Sequence, residues 1–216
     1  INSLFHIGVT HFQHRTLKKS LEIVTARARN PWGNGRLLPA GPLREPLAAL
    51  GRADLVVATD ATRPVDASAV VAAVNEHAPG VPVLTAVFIP AECWEASRMR
   101  PLPLAELRGK RFAAFAGIAS PDAFAATLES AGVTVAEFAR FADHHWFTPA
   151  EVAGLDGRAG DLGVDGLMTT EKDWVRLRKL PLPRRPLYVL SISLVLTSGA
   201  GAWQAALDGR AVEPET

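Results

Sequence analysis

Short apolar runs alternate with stretches of helical period along this chain of 216 residues. "SLFHIGV", "LEIVTA", "ADLVVAT", "VPVLTAVFI", "RFAAFAG", "TVAEFARF", "DGLMTT" and "LYVLSISL" read as strands. Most are apolar at consecutive positions, the pattern of strands covered on both faces. The intervening segments predict helices. "DASAVVAAVNEHA" ends before Pro79-Gly80, and "SPDAFAATLESAG" has Ser120 as N-cap, Pro121 at the first helical position and Gly132 as stop. "TPAEVAGL" carries a Thr148/Glu151 capping box, "TTEKDWVRLRKL" follows a strand directly, and "GAWQAALDG" closes the chain. Such alternation predicts an α/β fold with a mostly parallel sheet and flanking helices. The Pro-rich stretch "RMRPLPLAEL" is expected to separate two lobes, residues 1–99 and 100–216.

Apolar residues make up 48% of the chain, enough for a sizeable core. A formal charge of +1 gives no reason for a nucleic-acid role. Locally the balance tips. Between His11 and Glu45, seven basic residues (Arg15, Lys18, Lys19, Arg27, Arg29, Arg36, Arg44) face two acids, Glu22 and Glu45, which suits a phosphate-bearing ligand or an anionic membrane surface. The single cysteine, Cys93, excludes an internal disulfide and reads as a structural thiol. No run approaches the ~20 apolar residues that span a bilayer. The sequence starts at Ile1 in strand-like residues, and a fragment is expected.

Four stretches could carry chemistry. In "GNGRLLPAGPLREP" (residues 33–46), glycines permit close backbone approach, Arg36 and Arg44 can grip phosphate oxygens, and Glu45 can bind a metal or orient an arginine. "FAGIASP" is a strand-to-helix turn of the kind that presents backbone N–H groups to an anion. In "FADHHWF", His144 could move a proton or support a carboxylate, with Asp143 orienting it; a surface loop accounts for the same residues. Asp-His-His also resembles the DHH type of metal-dependent phosphoesterase, but the further aspartate motifs that paired-metal chemistry needs are not visible. In "MTTEKDWVRLR", Lys172 sits in the first turn of a helix, where its charge opposes the dipole and suits a phosphate or an acid. Trp174, Val175 and Leu177 of the same helix are expected to pack inward.

Together and in this order, "FQHRTL", "LEIV", "GNGRLLPAGPLREP", "FAGIASP", "FADHHWF" and "TTEKDWVRLR" resemble the tetraacyldisaccharide 4'-kinases of lipid A biosynthesis, over His11 to Leu207. The resemblance implies a P-loop kinase-like fold, with residues 1–99 as the remainder of the P-loop lobe and 100–216 as a C-terminal lobe. It implies an ATP- and Mg²⁺-dependent transfer of phosphate to the 4'-hydroxyl of an acylated glucosamine disaccharide phosphate, at the cytoplasmic face of the inner membrane. It places Gln13, His14, Arg44 and Glu45 at the nucleotide, with Glu45 also on the metal. It places Arg15, Asn34, Arg36 and Lys172 at the substrate, and makes His144, with Asp143, the support of a catalytic aspartate. The chain departs from that pattern in two places. No G-x-x-x-x-G-K-[ST] loop is present, and Val9-Thr10-His11 stands where Asp-Asp-Gly precedes Phe-Gln-His-Arg. These 216 residues alone are therefore expected to lack kinase activity, with an exposed sheet edge that favours self-association. The rival expectation is a non-catalytic module that binds the acyl-disaccharide or a membrane surface.

Overall fold

The computed structural model describes residues 21–208, and Gln13, His14, Arg15 and the strand expected at "SLFHIGV" lie outside them. Two compact units divide the chain; one comprises residues up to Phe88 and from Leu194 onward, the other Ile89–Ser193.

In the first unit, β1 (Ile23–Arg27) pairs in parallel with β2 (Leu55–Thr59), and β2 with the start of β3 (Val83–Glu95). β2 is buried at every position, and its alternation sorts it onto two faces. Val56 and Ala58 pack with Val70 and Val74 of α1 (Ser68–His77), while Leu55 and Val57 share a cluster with Leu84, Trp203 and Ala206. This double cover is why "LVVAT" reads as an uninterrupted apolar run.

The second unit adds β4 (Arg100–Leu102), antiparallel to the end of β3, then β5 (Arg111–Ala116), α2 (Pro121–Ser130), β6 (Thr134–Arg140), α3 (Pro149–Asp161), β7 (Gly166–Thr170) and α4 (Glu171–Leu177). β8 (Leu187–Ser198) begins here beside β7 and ends in the first unit, followed by α5 (Ala200–Asp208). β5 lies between β6 and β7, parallel to both. Its Ala113 and Phe115 face Val152, Leu155 and Ala159 of α3, and its Phe112, Ala114 and Ala116 face Phe124 and Leu128 of α2.

The expected α/β class with a mostly parallel sheet is what the chain forms. The Pro-rich stretch, expected as a linker, instead forms β4 and a 3₁₀ turn at Leu104–Leu107 within the second unit. Pro101 is accommodated because β4 pairs with β3 alone, an edge position where a missing N–H costs no ladder bond. Met99, the expected end of the first lobe, sits in the β3–β4 turn at φ 48°. β3 and β8 also run on beyond the expected "VPVLTAVFI" and "LYVLSISL".

Cys93 is buried on β3. Burial pushes its thiol from 9.0 up to about 12, against the opposing charge of Lys110. A thiol reagent at pH 8 should leave the native chain unlabelled and modify one cysteine once denaturant is added; native labelling at the unfolded rate would refute this. Because the folded value lies above the unfolded one, this contribution to stability is intact below about pH 9 and lost as pH rises toward 12.

Candidate active site

The sheet of the second unit changes direction between β5 and β7. The chain leaves β5 through α2 to β6 on one side and leaves β7 through α4 to β8 on the other. In α/β sheets the carboxyl ends of two such strands frame the crevice where ligands bind. Here those ends are Gly117 after β5 and Thr170 before α4.

One buried carboxylate joins them. Asp173 has no exposed surface and accepts hydrogen bonds from Gly117 N (3.1 Å), Thr170 Oγ1 (2.7 Å) and Arg176 Nη1 (3.1 Å). Its own N–H donates to Thr170 Oγ1 (3.0 Å), so Thr170 is the N-cap of α4. Arg176 Nη1 also donates to Gly117 O (3.2 Å). A Cβ on Gly117 would lie 3.0 Å from His145 Cβ, 3.2 Å from Ala142 O and 3.3 Å from Asp173 Oδ1, so the turn needs glycine for close approach.

Against this turn lies the loop 141–147. Its inward side chains form an aromatic cluster. Phe115 stands edge-on to Phe147 (5.5 Å) and Phe141 (6.5 Å), and His145 stacks on Phe141 at 4.8 Å. His145 Nε2 also meets Glu151 Oε1 at 3.1 Å. Glu151 closes the expected capping box with Thr148. The Thr148 N–H, then its hydroxyl, then His145 hold the Glu151 carboxyl below the usual range. With residues 141, 145 and 147 turned in, Asp143, His144 and Trp146 are left exposed. The His144 backbone is left-handed (φ 60°) and its N–H donates to Gly117 O (3.1 Å). Its ring meets Arg176 Nη2 through Nδ1 at 3.0 Å. Asp143 Oδ2 lies 3.7 Å from Nε2, an ion-pair distance beyond hydrogen-bond length.

The sequence-predicted residues therefore fall into two groups. Asp143, His144 and Lys172 belong to the second unit; Lys172 is exposed one residue before the buried Asp173. Val175 points to solvent, against expectation, while Trp174 and Leu177 join the core. On this seven-residue helix Asp173, Trp174 and Leu177 turn inward, and Val175 falls on the outer face. Asn34, Arg36, Arg44 and Glu45 lie on one loop of the first unit. Asn34 Oδ1 accepts from the Arg36 N–H (3.1 Å) and Asn34 Nδ2 donates to Ala40 O (2.9 Å), which shapes the turn. Arg36 and Arg44 are exposed there and suit phosphate oxygens. Glu45 pairs with Arg52 at 2.6 Å. Among the described residues no three His, Cys, Asp or Glu side chains converge on a cation site.

Asp173 and Arg176 are the residues that sequence reasoning missed. Thr170-x-x-Asp173 is itself a capping-box pattern, and Arg176 follows Asp173 at the i+3 spacing of a helical ion pair.

The comparisons with known proteins agree with this architecture. The family model described as LpxK, tetraacyldisaccharide-1-P 4'-kinase, matches residues 11–211. A tetraacyldisaccharide 4'-kinase from Anaeromyxobacter sp. (strain K) is 38% identical over 200 residues, covering 91% of this chain and 53% of the relative. One from Geobacter metallireducens is 42% identical over 166 residues, covering 77% of this chain and 47% of the relative. A crystal structure of LpxK from Aquifex aeolicus in complex with ATP superposes with a TM-score of 0.61 at 25% identity, over 93% of this chain and 55% of that one. The chain thus spans about half the length of the curated relatives it matches.

Proposed function

Because the chain belongs to the tetraacyldisaccharide-1-P 4'-kinase family, we propose that it carries the His144 side of a site for phosphoryl transfer from ATP to the 4'-hydroxyl of an acylated glucosamine disaccharide 1-phosphate. The observation that carries this reading is the placement of Asp143 and His144. Both are exposed at the crevice between β5 and β7, on a loop fixed from beneath by Phe115 and from the side by Gly117. Phosphoryl transfer asks a protein mainly for positioning and charge stabilisation, and ATP supplies the transferable phosphoryl group. In this reading His144 supports a carboxylate that positions the attacking hydroxyl, and Asp143 lies beside it. By the family resemblance Lys172 of the second unit is a substrate residue; on the first unit's loop, taken by itself, Asn34 and Arg36 are substrate residues and Arg44 and Glu45 nucleotide residues. These 216 residues contain no G-x-x-x-x-G-K-[ST] loop, so the phosphate cradle is not among them.

No helix of the described residues is long and apolar enough to cross a membrane. We place the chain peripherally at the cytoplasmic membrane face, where its acylated substrate would reside.

Titration calorimetry on the 216-residue chain, with Mg-ATP and separately with the disaccharide 1-phosphate, tests the reading. Heat of binding is expected from the disaccharide, and no phosphate transfer from ATP. Binding of neither ligand overturns the assignment. Transfer by these residues alone overturns the placement of the phosphate cradle outside them.

A further inference from the structure

Arginine has donors and no acceptor, so an imidazole nitrogen that faces a guanidinium in hydrogen-bond geometry must present its lone pair. Arg176 Nη2 lies 3.0 Å from His144 Nδ1. The guanidinium is not at liberty to turn away, because its Nη1 is engaged by both Asp173 Oδ1 (3.1 Å) and Gly117 O (3.2 Å). Asp173 is in turn fixed by Gly117 N and Thr170 Oγ1, with no surface exposed. The His144 backbone is tied to the same Gly117 carbonyl through its N–H. One rigid unit therefore sets both the position of the ring and the direction of its proton.

We infer that Arg176, locked by Asp173, is a positioning residue that holds His144 as the neutral tautomer with its proton on Nε2. The ring then offers an N–H, and not a lone pair, to whatever oxygen approaches its exposed edge. Asp143 Oδ2, at 3.7 Å, leaves that N–H within reach of another acceptor. An N–H donor suits an anionic oxygen, whether carboxylate or phosphoryl. Donated to a neighbouring carboxylate, it would orient that group and keep it ionised, without accepting a proton at Nε2. The inference rests on the reading of His144 as a site residue, but its test does not need turnover.

The test is ¹⁵N NMR of the imidazole nitrogens in the 216-residue chain with histidine labelling, in mildly alkaline buffer. In the wild-type chain, His144 is expected to show an unprotonated Nδ1 and a protonated Nε2. Arg176→Ala and Asp173→Asn should each move both signals toward the averaged values of a ring exchanging tautomers, while backbone amide signals away from residues 117, 144 and 170–176 stay put. Arg176→Lys, which keeps a donor-only cation, should retain the wild-type tautomer. A protonated Nδ1 in the wild-type or lysine chain overturns the inference, whether or not the alanine variant folds. So does an unmoved His144 spectrum in Arg176→Ala or Asp173→Asn. Failure of the chain to bind the disaccharide would instead count against the proposed function and leave the tautomer result standing.

Discussion

Asp173→Ala is expected to lower the stability of the folded chain by about 3–5 kcal/mol, read as a fall in the urea midpoint with an unchanged slope. The carboxylate has no exposed surface and meets Gly117 N, Thr170 Oγ1 and Arg176 Nη1. Truncation leaves the Arg176 guanidinium, whose side chain is only 14% exposed, without its counter-charge, and strips the Gly117 N–H of its acceptor. The large term is the uncompensated buried charge, not the lost attraction. Replacing both partners, as in Asp173→Leu with Arg176→Met, should therefore cost clearly less than Asp173→Ala alone, because no charge is then buried unpaired. A single-variant loss below about 1 kcal/mol, or a double variant worse than the sum, would show that water solvates this ion pair. Since a domain is stable by only about 5–15 kcal/mol, the connection between β5 and α4 is among the most costly in the second unit to break.

Why the sequence named Lys172 and passed over Asp173 is a matter of one helical step. Adjacent residues on a helix point about 100° apart, so a motif marks the turn while only the fold decides which of its members faces inward. Val175 was lost the same way, beside Trp174. The strands at Leu55–Thr59 and Arg111–Ala116 were legible because both faces of each are covered, which leaves an unbroken apolar run. The ends of β3 and β8 beyond the runs read as strands carry exposed positions such as Glu92 and Thr197, and no period marks them as strand. β4 was hidden by its proline, a residue that argues against a strand except at an edge, and edges are set by topology. "FADHHWF" offers two adjacent histidines, of which His144 is the candidate read from the sequence. The loop does divide them, His145 into the aromatic cluster and His144 outward, but the left-handed backbone at His144 and the guanidinium on its Nδ1 belong to tertiary structure.

Phe115→Ala is expected to cost about 3–5 kcal/mol as well, and to loosen the loop that carries His144. Phe115 is 2% exposed, and its ring stands edge-on to Phe147 at 5.5 Å and to Phe141 at 6.5 Å. The loss has two parts, a cavity in the core between β5 and α3 and the aromatic pairs themselves, each worth about 0.5–1.5 kcal/mol beyond area burial. Trp146, 76% exposed on the same loop, is the internal comparison, and Trp146→Ala should shift stability by no more than about 0.5 kcal/mol. Denaturation midpoints measure both, and ¹⁵N relaxation of the 141–147 amides reports the loop separately from the core. Phe115→Leu, which keeps most of the volume but no ring, tells the two parts apart. If packing alone holds the loop, the leucine chain keeps ordered amides at 143–145; if the ring contacts hold it, those amides become mobile while the β-strand amides stay rigid. Ordered loop amides in the alanine chain would mean that the hydrogen bonds to Gly117 O suffice, and that the aromatic cluster serves the core and not the site.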